Sequence, residues 1–591
     1  MADTKREIER KYEARGRDTD ATSLPDLTAV GGVSALVHRG VTELDAVYYD
    51  TADQRLAAAS ITLRRRTGGD DAGWHLKLPV ADGVRDEIRA PLSARVPRVL
   101  VGLVRSRIRD APLLPVVRLR SLRDVHHLVD SDGALLAELS VDVVTADRLS
   151  GGDGSTGWTE IEVELADDQE PAFLDKVEKK LKKGGLRRSK SASKLARALA
   201  ETAPVPAPVP VPAPVAAPGP AAEAVPPSGA VSAEAEAEAE AEAEAGPASE
   251  AVSGPGTEAG AAPVSPPAPV SAPDAVAAPG AAPVSAPGAG PDPVVPPHTA
   301  AAPVLAYLTV QRDALVTLDP AVRRDEHDSV HRMRVATRRM RSTFRSYGKV
   351  LDRTVTDPIA DELKWLAGEL GVDRDAEVLT ERLTGHLTGL PRTLTAGPVR
   401  TRLRTWAHAR RGGSRRRLIA VLDGKRYLTL LNRIDALLAA PPLLPAAHRD
   451  PAKVIHKAAA KDFGKLSALV EDALARPRGP ERDLAMHDAR KKAKRLRYAA
   501  EAALDTLGAP AKDAVRGAKA LQGLLGEHQD SVMTRGALRD IAAQAQGARE
   551  SSFTYGLVYG REEHLAAGYE DALPEAWEEA QRRTREIRGT R

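Results

Sequence analysis

The chain has 591 residues, enough for several domains, because single hydrophobic cores stop growing well below this length. Its formal charge of +3 averages over very uneven segments, aromatic residues at 3% are too few for single-strand stacking platforms, and Cys 0 excludes disulfides, thiolate nucleophiles and cysteine-ligated zinc. No run of about 18 apolar residues occurs, and the charged start MADTKREIERKYE has no apolar signal segment, so a soluble, cytoplasmic, multidomain protein with no membrane partner is expected.

Up to about residue 200 the chain reads as β-strands separated by turn signals such as Gly68-Gly69-Asp70, Asp82-Gly83 and Asp132-Gly133. Several strands carry charge on one face at period two. These are Glu7, Glu9 and Lys11; Arg64 and Arg66; His75 and Lys77; and Arg85 and Glu87. Further along come Arg118 and Arg120; Glu138, Ser140 and Asp142; and Glu160, Glu162 and Glu164. Any one such strand reads most simply as the solvated face of a sheet. Seven of them, with acidic strands at both ends and cationic strands between, fit a closed barrel whose charged faces line a lumen. Carboxylates there would collect hard divalent cations, and Arg and Lys would hold phosphate oxygens.

The segment EIERK resembles the ExExK signature of the CYTH, or triphosphate-tunnel metalloenzyme, family. Supporting motifs follow in family order: Tyr48-Tyr49-Asp50-Thr51, Leu63-Arg64-Arg65-Arg66, the Lys77 strand, the Glu162-centred acidic strand, and Ser193-Lys194. The resemblance covers residues 3–200 and implies an eight-stranded antiparallel tunnel that hydrolyses triphosphates with Mg²⁺ or Mn²⁺. It implies metal binding by Glu7 and Glu9, with Glu160 and Glu162 completing the acidic side. It implies phosphate binding by Lys11, Arg64, Arg66, Lys77, Arg123 and Lys194, and a catalytic set of Glu7, Glu9, Lys11, Glu87 and Asp142. The family pattern places a basic residue near Arg123, whereas the alternation favours Arg118 and Arg120, so all three stand as substrate-binding candidates. No covalent nucleophile is expected: cations and metal would neutralise the phosphoryl group while a water is activated for in-line attack.

From 201 to 302 the composition collapses to Ala, Pro, Val, Gly and Glu, with an alternating Ala–Glu run at 233–245. Frequent proline and little bulky apolar surface predict a disordered, polyproline-type linker that lets its flanking domains act semi-independently.

The remainder, 303–580, reads as nearly all helix, in two repeats at about 303–450 and 451–580. His331, Arg334, Arg338, Arg339 and Arg341 recur as His487, Arg490, Lys494, Arg495 and Arg497, at a constant 487 − 331 = 156 positions. A second motif recurs with them: Lys364, Leu366, Leu370, Gly371 and Asp375 match Lys519, Leu521, Leu525, Gly526 and Asp530. Positions 331, 334, 338 and 341 share one helix face, which carries almost no counter-charge in the sequence pattern and so calls for an anion. These helices resemble the two signature helices of the CHAD family, which implies two pseudo-symmetric bundles around a basic groove that binds inorganic polyphosphate. The polyphosphate-binding candidates are His331, Arg334, Arg338, Arg341, His487, Arg490, Lys494 and Arg497; the histidines are read as phosphate donors whose protonation would strengthen binding on acidification.

The fold class expected is therefore α+β multidomain, a CYTH β-tunnel joined to an all-α CHAD bundle. The expected function is hydrolysis of inorganic triphosphate or a related oligophosphate by a tunnel tethered to polyphosphate, with polyphosphate granules as a site of association. The alternatives are a non-enzymatic polyphosphate-binding or granule-targeting protein and, less favoured, a nucleic-acid-binding protein. The oligomeric state stays open.

Overall fold

The computed structural model describes residues 3–14, 24–203, 296, 298–411 and 414–589, apart from the side chains of 372–376, 410–411 and 414. Most of the expected 201–302 linker lies outside the described residues, between 204 and 295. Its expected ends are helical: one helix runs through Glu201 and the next begins at Ala301.

The N-terminal strands are β1 (Asp3–Ala14), β2 (Ala35–Asp50), β3 (Thr62–Thr67), β4 (Gly73–Ala81), β5 (Val84–Ala90), β6 (Leu114–Val129), β7 (Leu135–Arg148), β8 (Ser155–Leu165) and the short β9 (Leu186–Arg188). They form one antiparallel sheet in the order β5-β4-β3-β2-β6-β7-β8-β1-β9, and β1 also pairs with β5. That last pairing closes the first eight strands into a barrel. Glu7 stands opposite Arg85, and Lys11 opposite Glu162, so the first strand bridges an acidic and a mixed wall.

Charged residues can fill the inside because apolar residues are buried on the outside. Helix α1 (Arg55–Ala58) and helix α2 (Arg98–Ile108) cover Leu63, Trp74, Leu76 and Ile88 with Leu56, Leu100, Leu103 and Val104. Helix α3 (Ala172–Lys183) covers Tyr12, Leu139, Ile161 and Val163 with Phe173, Leu174, Val177 and Leu181. Alternation then does the rest: the residues between these apolar ones point inward. Helix α4 (Lys194–Glu201) packs Leu195, Ala198 and Leu199 on Val117, Leu119, Val144, Ala146 and Trp158. These barrel residues share the inward parity of Arg123, Asp142 and Glu162, so α4 plugs one end of the barrel with an apolar core.

The C-terminal helices are α5 (Ala301–Arg324), α6 (Ser329–Ser346), α7 (Arg353–Glu369), α8 (Gly371–Thr388), α9 (Val399–Arg411), α10 (Ser414–Asp423), α11 (Lys425–Ala439), α12 (Pro451–Ala475), α13 (Pro480–Glu501), α14 (Leu504–Leu507), α15 (Ala509–Gly547) and α16 (Phe553–Thr584). One core joins α5, α6, α7 and α11; another joins α12, α13, α15 and α16. The basic helices α6 and α13 are held by apolar stripes, Met333, Ala336, Met340 and Phe344 on one and Met486, Ala489, Ala493 and Leu496 on the other. Burying these stripes at helical spacing fixes which side of each helix is left for its cations.

The two modules touch directly, which corrects the expectation of semi-independent domains. Ser106 Oγ donates to the Val316 carbonyl at 3.1 Å, and Arg109 donates to Asn432 at 3.1 Å and Asp435 at 2.9 Å. Asp86, beside Glu87 on β5, accepts from Arg6 at 2.9 Å and from Arg324 at 3.1 Å.

Candidate functional site

The barrel encloses a cavity of about 260 Å³ lined by both signs of charge. Two local features place the key side chains. Asp50, fully buried, accepts backbone N–H bonds from Thr51, Leu56 and Ala57, and so fixes the β2–β3 connection ahead of Arg64 and Arg66. Ser193 caps α4 by accepting from the Ala196 amide at 3.1 Å, which sets Lys194 at the first helical position beside the acidic wall.

On that side Lys194 Nζ lies 2.9 Å from Asp142, 2.8 Å from Glu160 and 2.7 Å from Glu162. Arg123 binds Asp142 through two 2.7 Å bonds and reaches Glu162 at 2.9 Å, while Lys11 also donates to Glu162. On the facing side Lys77 donates to Glu7 at 2.5 Å, and Glu87 accepts from His75 Nδ1 at 2.9 Å and from Arg89 Nε at 2.5 Å. Arg64 approaches Glu87 to 3.6 Å, and Arg66 pairs with Asp71.

The electrostatics separate the carboxylates. Burial raises Glu7 and Lys77 opposes it, but the charges of Glu87 and Glu164 add to the burial and push Glu7 up to about 7. Burial is outweighed at Glu9, which Lys11 and Lys77 hold down to about 2. It is outweighed again at Glu87, held well below the carboxylate range by His75, Lys77 and Arg64. Burial and the neighbouring Arg64 and Arg123 guanidiniums make the charge on Arg66 costly, yet arginine keeps its proton at neutral pH. Bound phosphate oxygens would lower that cost.

Glu7, Glu9, Lys11, Arg64, Arg66, Lys77, Glu87, Arg123, Glu162 and Lys194 all line the cavity. Asp142 and Glu160 sit behind Lys194, buried, with Glu160 also accepting from Trp158 Nε1 at 2.7 Å. Arg118 and Arg120 do not reach the lumen. They lie on the outer wall, paired with Asp45 at 2.5 Å and Asp147 at 2.7 Å. The reason is parity: Arg123 points inward, so its inward neighbours along β6 are positions 117 and 119, the Val and Leu packed under α4. The lining also includes Lys5, Arg89, Glu138 and Glu164, to which the motifs assigned no role. Glu138 and Glu164 already stand in the alternating sets of β7 and β8, and Lys5 and Arg89 carry those of β1 and β5 two residues further.

In the helical module the cations of both repeats converge. Lys494, half-buried, feels Arg490, Arg338 and Arg334, and burial together with those charges pushes its ammonium down to about 7. His487 is likewise lowered by burial and by Lys491. The faces are not bare of counter-charge, a correction to the sequence pattern. Glu501 binds Arg339 at 2.9 Å and Arg497 at 3.0 Å, Asp462 binds Arg495 at 3.0 Å, and Asp530 approaches Arg490 at 3.8 Å. Arg339 and Arg495 stand off the main stripe and tie the helices together.

The models of two domain families match, a CYTH domain at residues 5–199 and a CHAD domain at 306–539. Uncharacterized proteins of two Mycobacterium tuberculosis strains are 33% identical to the chain over 98% of its length and 98% of theirs. This is a CYTH–CHAD protein. Among solved structures, PptA from Streptomyces chartreusis is similar at 20% identity and TM-score 0.39, over 47% of this chain and 99% of that one. The CHAD domain of Ricinus communis is similar at 21% identity and TM-score 0.38, over 48% and 92%. A putative adenylyl cyclase from Hippeastrum, described as having a dominant triphosphatase activity, is similar at 20% identity and TM-score 0.21, over 34% and 98%.

Among the described residues, two histidine–carboxylate clusters lie outside the CYTH lumen, His38–Asp124–His126 on the outer strands and Asp483–His528–Glu570 in the CHAD bundle. In the second, Arg482 lies 3.3 Å from Glu570 and Arg535 lies 3.4 Å from Asp483, so its acidic charge is already matched. Among the described residues no helix is long and apolar enough to cross a membrane.

Proposed function

We propose that the CYTH tunnel hydrolyses inorganic triphosphate or a related short oligophosphate with a divalent metal ion, and that the CHAD groove binds long-chain polyphosphate. The observation that carries the first part is the lumen itself, in which nine cations and seven carboxylates line a cavity too small and too polar for a large organic ligand. Tyr48 is the one aromatic residue lining it among the described residues, and its hydroxyl accepts from Arg64 at 3.4 Å. Tyr49 and Trp74 pack on each other at 5.0 Å outside the lumen, so no aromatic pair offers a face to a base or thiazolium ring.

Glu7, Glu9 and Glu162 line the lumen and offer oxygen donors of the kind Mg²⁺ and Mn²⁺ accept, although their oxygens are not drawn together into one cluster, so a bound ion would have to gather them. The crowding of Glu7 by Glu87 and Glu164 would be relieved by a cation held there. When bound, the ion supplies charge neutralisation at the phosphoryl oxygens and acidifies a water. The chain's own residues do the positioning. Arg64, Arg66, Arg123 and Lys194 grip phosphate oxygens, and Lys11 and Lys77 exchange their carboxylate partners for phosphate as substrate enters. Water then forms the new P–O bond, the anhydride P–O bond breaks, pyrophosphate leaves, and the water's proton passes to solvent.

The test is phosphate release from tripolyphosphate with Mg²⁺, run beside ATP, thiamine triphosphate and 5′-triphosphorylated RNA, with cyclic nucleotide measured as well. Glu7→Gln with Glu9→Gln should abolish release; a fully active double variant, or an organic triphosphate preferred over the inorganic one, refutes the reading. Fluorescent polyphosphate challenged with duplex DNA tests the groove, and equal competition by DNA would refute polyphosphate selectivity.

A further inference from the structure

The recurring Leu-Gly motif of the two repeats has a job in the fold that its backbone does not explain. Gly371 opens α8 and Gly526 sits in the middle of α15. Neither belongs to the glycines with positive φ, so neither backbone conformation requires glycine. A glycine inside a helix is destabilising relative to alanine, because it loses more backbone freedom on folding. What both positions share is a neighbour. A Cβ on Gly371 would stand 2.9 Å from the guanidinium carbon of Arg334, and a Cβ on Gly526 would stand 3.3 Å from a guanidinium nitrogen of Arg490. Arg334 and Arg490 are themselves the equivalent residues of the two repeats, on α6 and α13. Both guanidiniums act on Lys494, so they gather at the same cationic centre. Asp530, one turn beyond Gly526, reaches Arg490 at 3.8 Å and steadies it from the side. By contrast Gly523, on the same helix, has nothing within 4 Å of its Cβ position.

We infer that Gly371 and Gly526 are positioning residues that leave a bare strip of helix backbone on which Arg334 and Arg490 lie flat, holding each guanidinium in the polyanion groove. This rests on the groove reading given above. An added methyl meets only the far end of a flexible side chain, so it displaces the arginine and leaves the fold intact. The glycine is kept for the ligand at the expense of the helix.

The experiment is a thermodynamic cycle in the full chain. Gly526→Ala, Arg490→Ala, their combination and the control Gly523→Ala are compared for long-chain polyphosphate affinity and thermal midpoint. Gly526→Ala should weaken binding roughly tenfold, the scale of one impaired charge-assisted contact. On the Arg490→Ala background it should change affinity less than about twofold, because the group it displaces is gone. The midpoint supplies a readout independent of ligand: Gly526→Ala should raise it by about 2 °C when Arg490 is absent and by less when Arg490 is present. Gly523→Ala should leave affinity unchanged. Equal effects of Gly526→Ala on both backgrounds, in affinity and in midpoint, overturn the inference. A parent protein that fails to bind polyphosphate sinks the groove reading instead, and the midpoint coupling still decides whether the glycine serves the arginine.

Discussion

Lys194→Met would remove the single ammonium shared by Asp142, Glu160 and Glu162, which lie 2.9, 2.8 and 2.7 Å from it. Lys194 is 8% exposed and Asp142 and Glu160 are 0% and 3% exposed, so solvent cannot take over the lost charge. Arg123 still compensates Asp142 and Glu162, but Glu160 keeps only its bond from Trp158. Breaking a buried pair by deleting one partner costs about 3–5 kcal/mol. At 1.36 kcal/mol per decade, that is roughly two to four orders of magnitude in the opening equilibrium. Hydrogen exchange of β7 and β8 peptides should therefore accelerate by that factor at pH 7. The pH sense follows from the parent: Asp142 and Glu162 are held below their ordinary values, against burial, by Lys194, Arg123 and Lys11. Groups so depressed contribute stability above their unfolded values and lose it as pH falls through the folded ones. The variant forfeits part of that contribution, so its deficit is full near neutrality and narrows below about pH 4, where the carboxylates protonate. Exchange within threefold of the parent at pH 7 would refute the argument.

Polyphosphate affinity should rise as pH falls from 8 to 6, because the anion favours the protonated form of Lys494, whose ammonium titrates at about 7 in the free protein. Fluorescence anisotropy at constant ionic strength should show that slope in the parent and lose it in Lys494→Met; an unchanged slope in the variant would count against Lys494. Arg118→Ala and Arg120→Ala should leave triphosphate turnover and the thermal midpoint unchanged, since both form exposed ion pairs on the outer wall that salt and solvent screen. Arg109→Ala removes the bonds to Asn432 and Asp435, leaving Asp435 only the longer 3.6 Å contact with Arg312, and should loosen the docking of the two modules by about 1–3 kcal/mol, read as faster hydrogen exchange in α2 and α11.

Alternation and spacing made much of this protein readable. The inward set on β1, β3, β4, β5 and β8 follows from period two once the barrel closes, and the lumen contains Glu7, Glu9, Arg64, Arg66, Lys77, Glu87 and Glu162 together. The strand β6 was harder. Its basic residues occur on both parities, so alternation alone chose Arg118 and Arg120, while the lumen takes Arg123. Only the seating of α4 against Val117 and Leu119 decides which parity faces in.

The amino-acid order by itself determined the two-signed strands, the duplicated cationic helices and the composition break between them, because these are local periodicities carried by neighbouring residues. The tertiary structure alone decided which cations already have partners, that Glu501 ties down Arg339 and Arg497, and that the two modules share a contact at Arg109 and Asp86. Charge compensation between residues far apart in the chain depends on distances of a few ångströms, and a one-dimensional pattern holds no such distances.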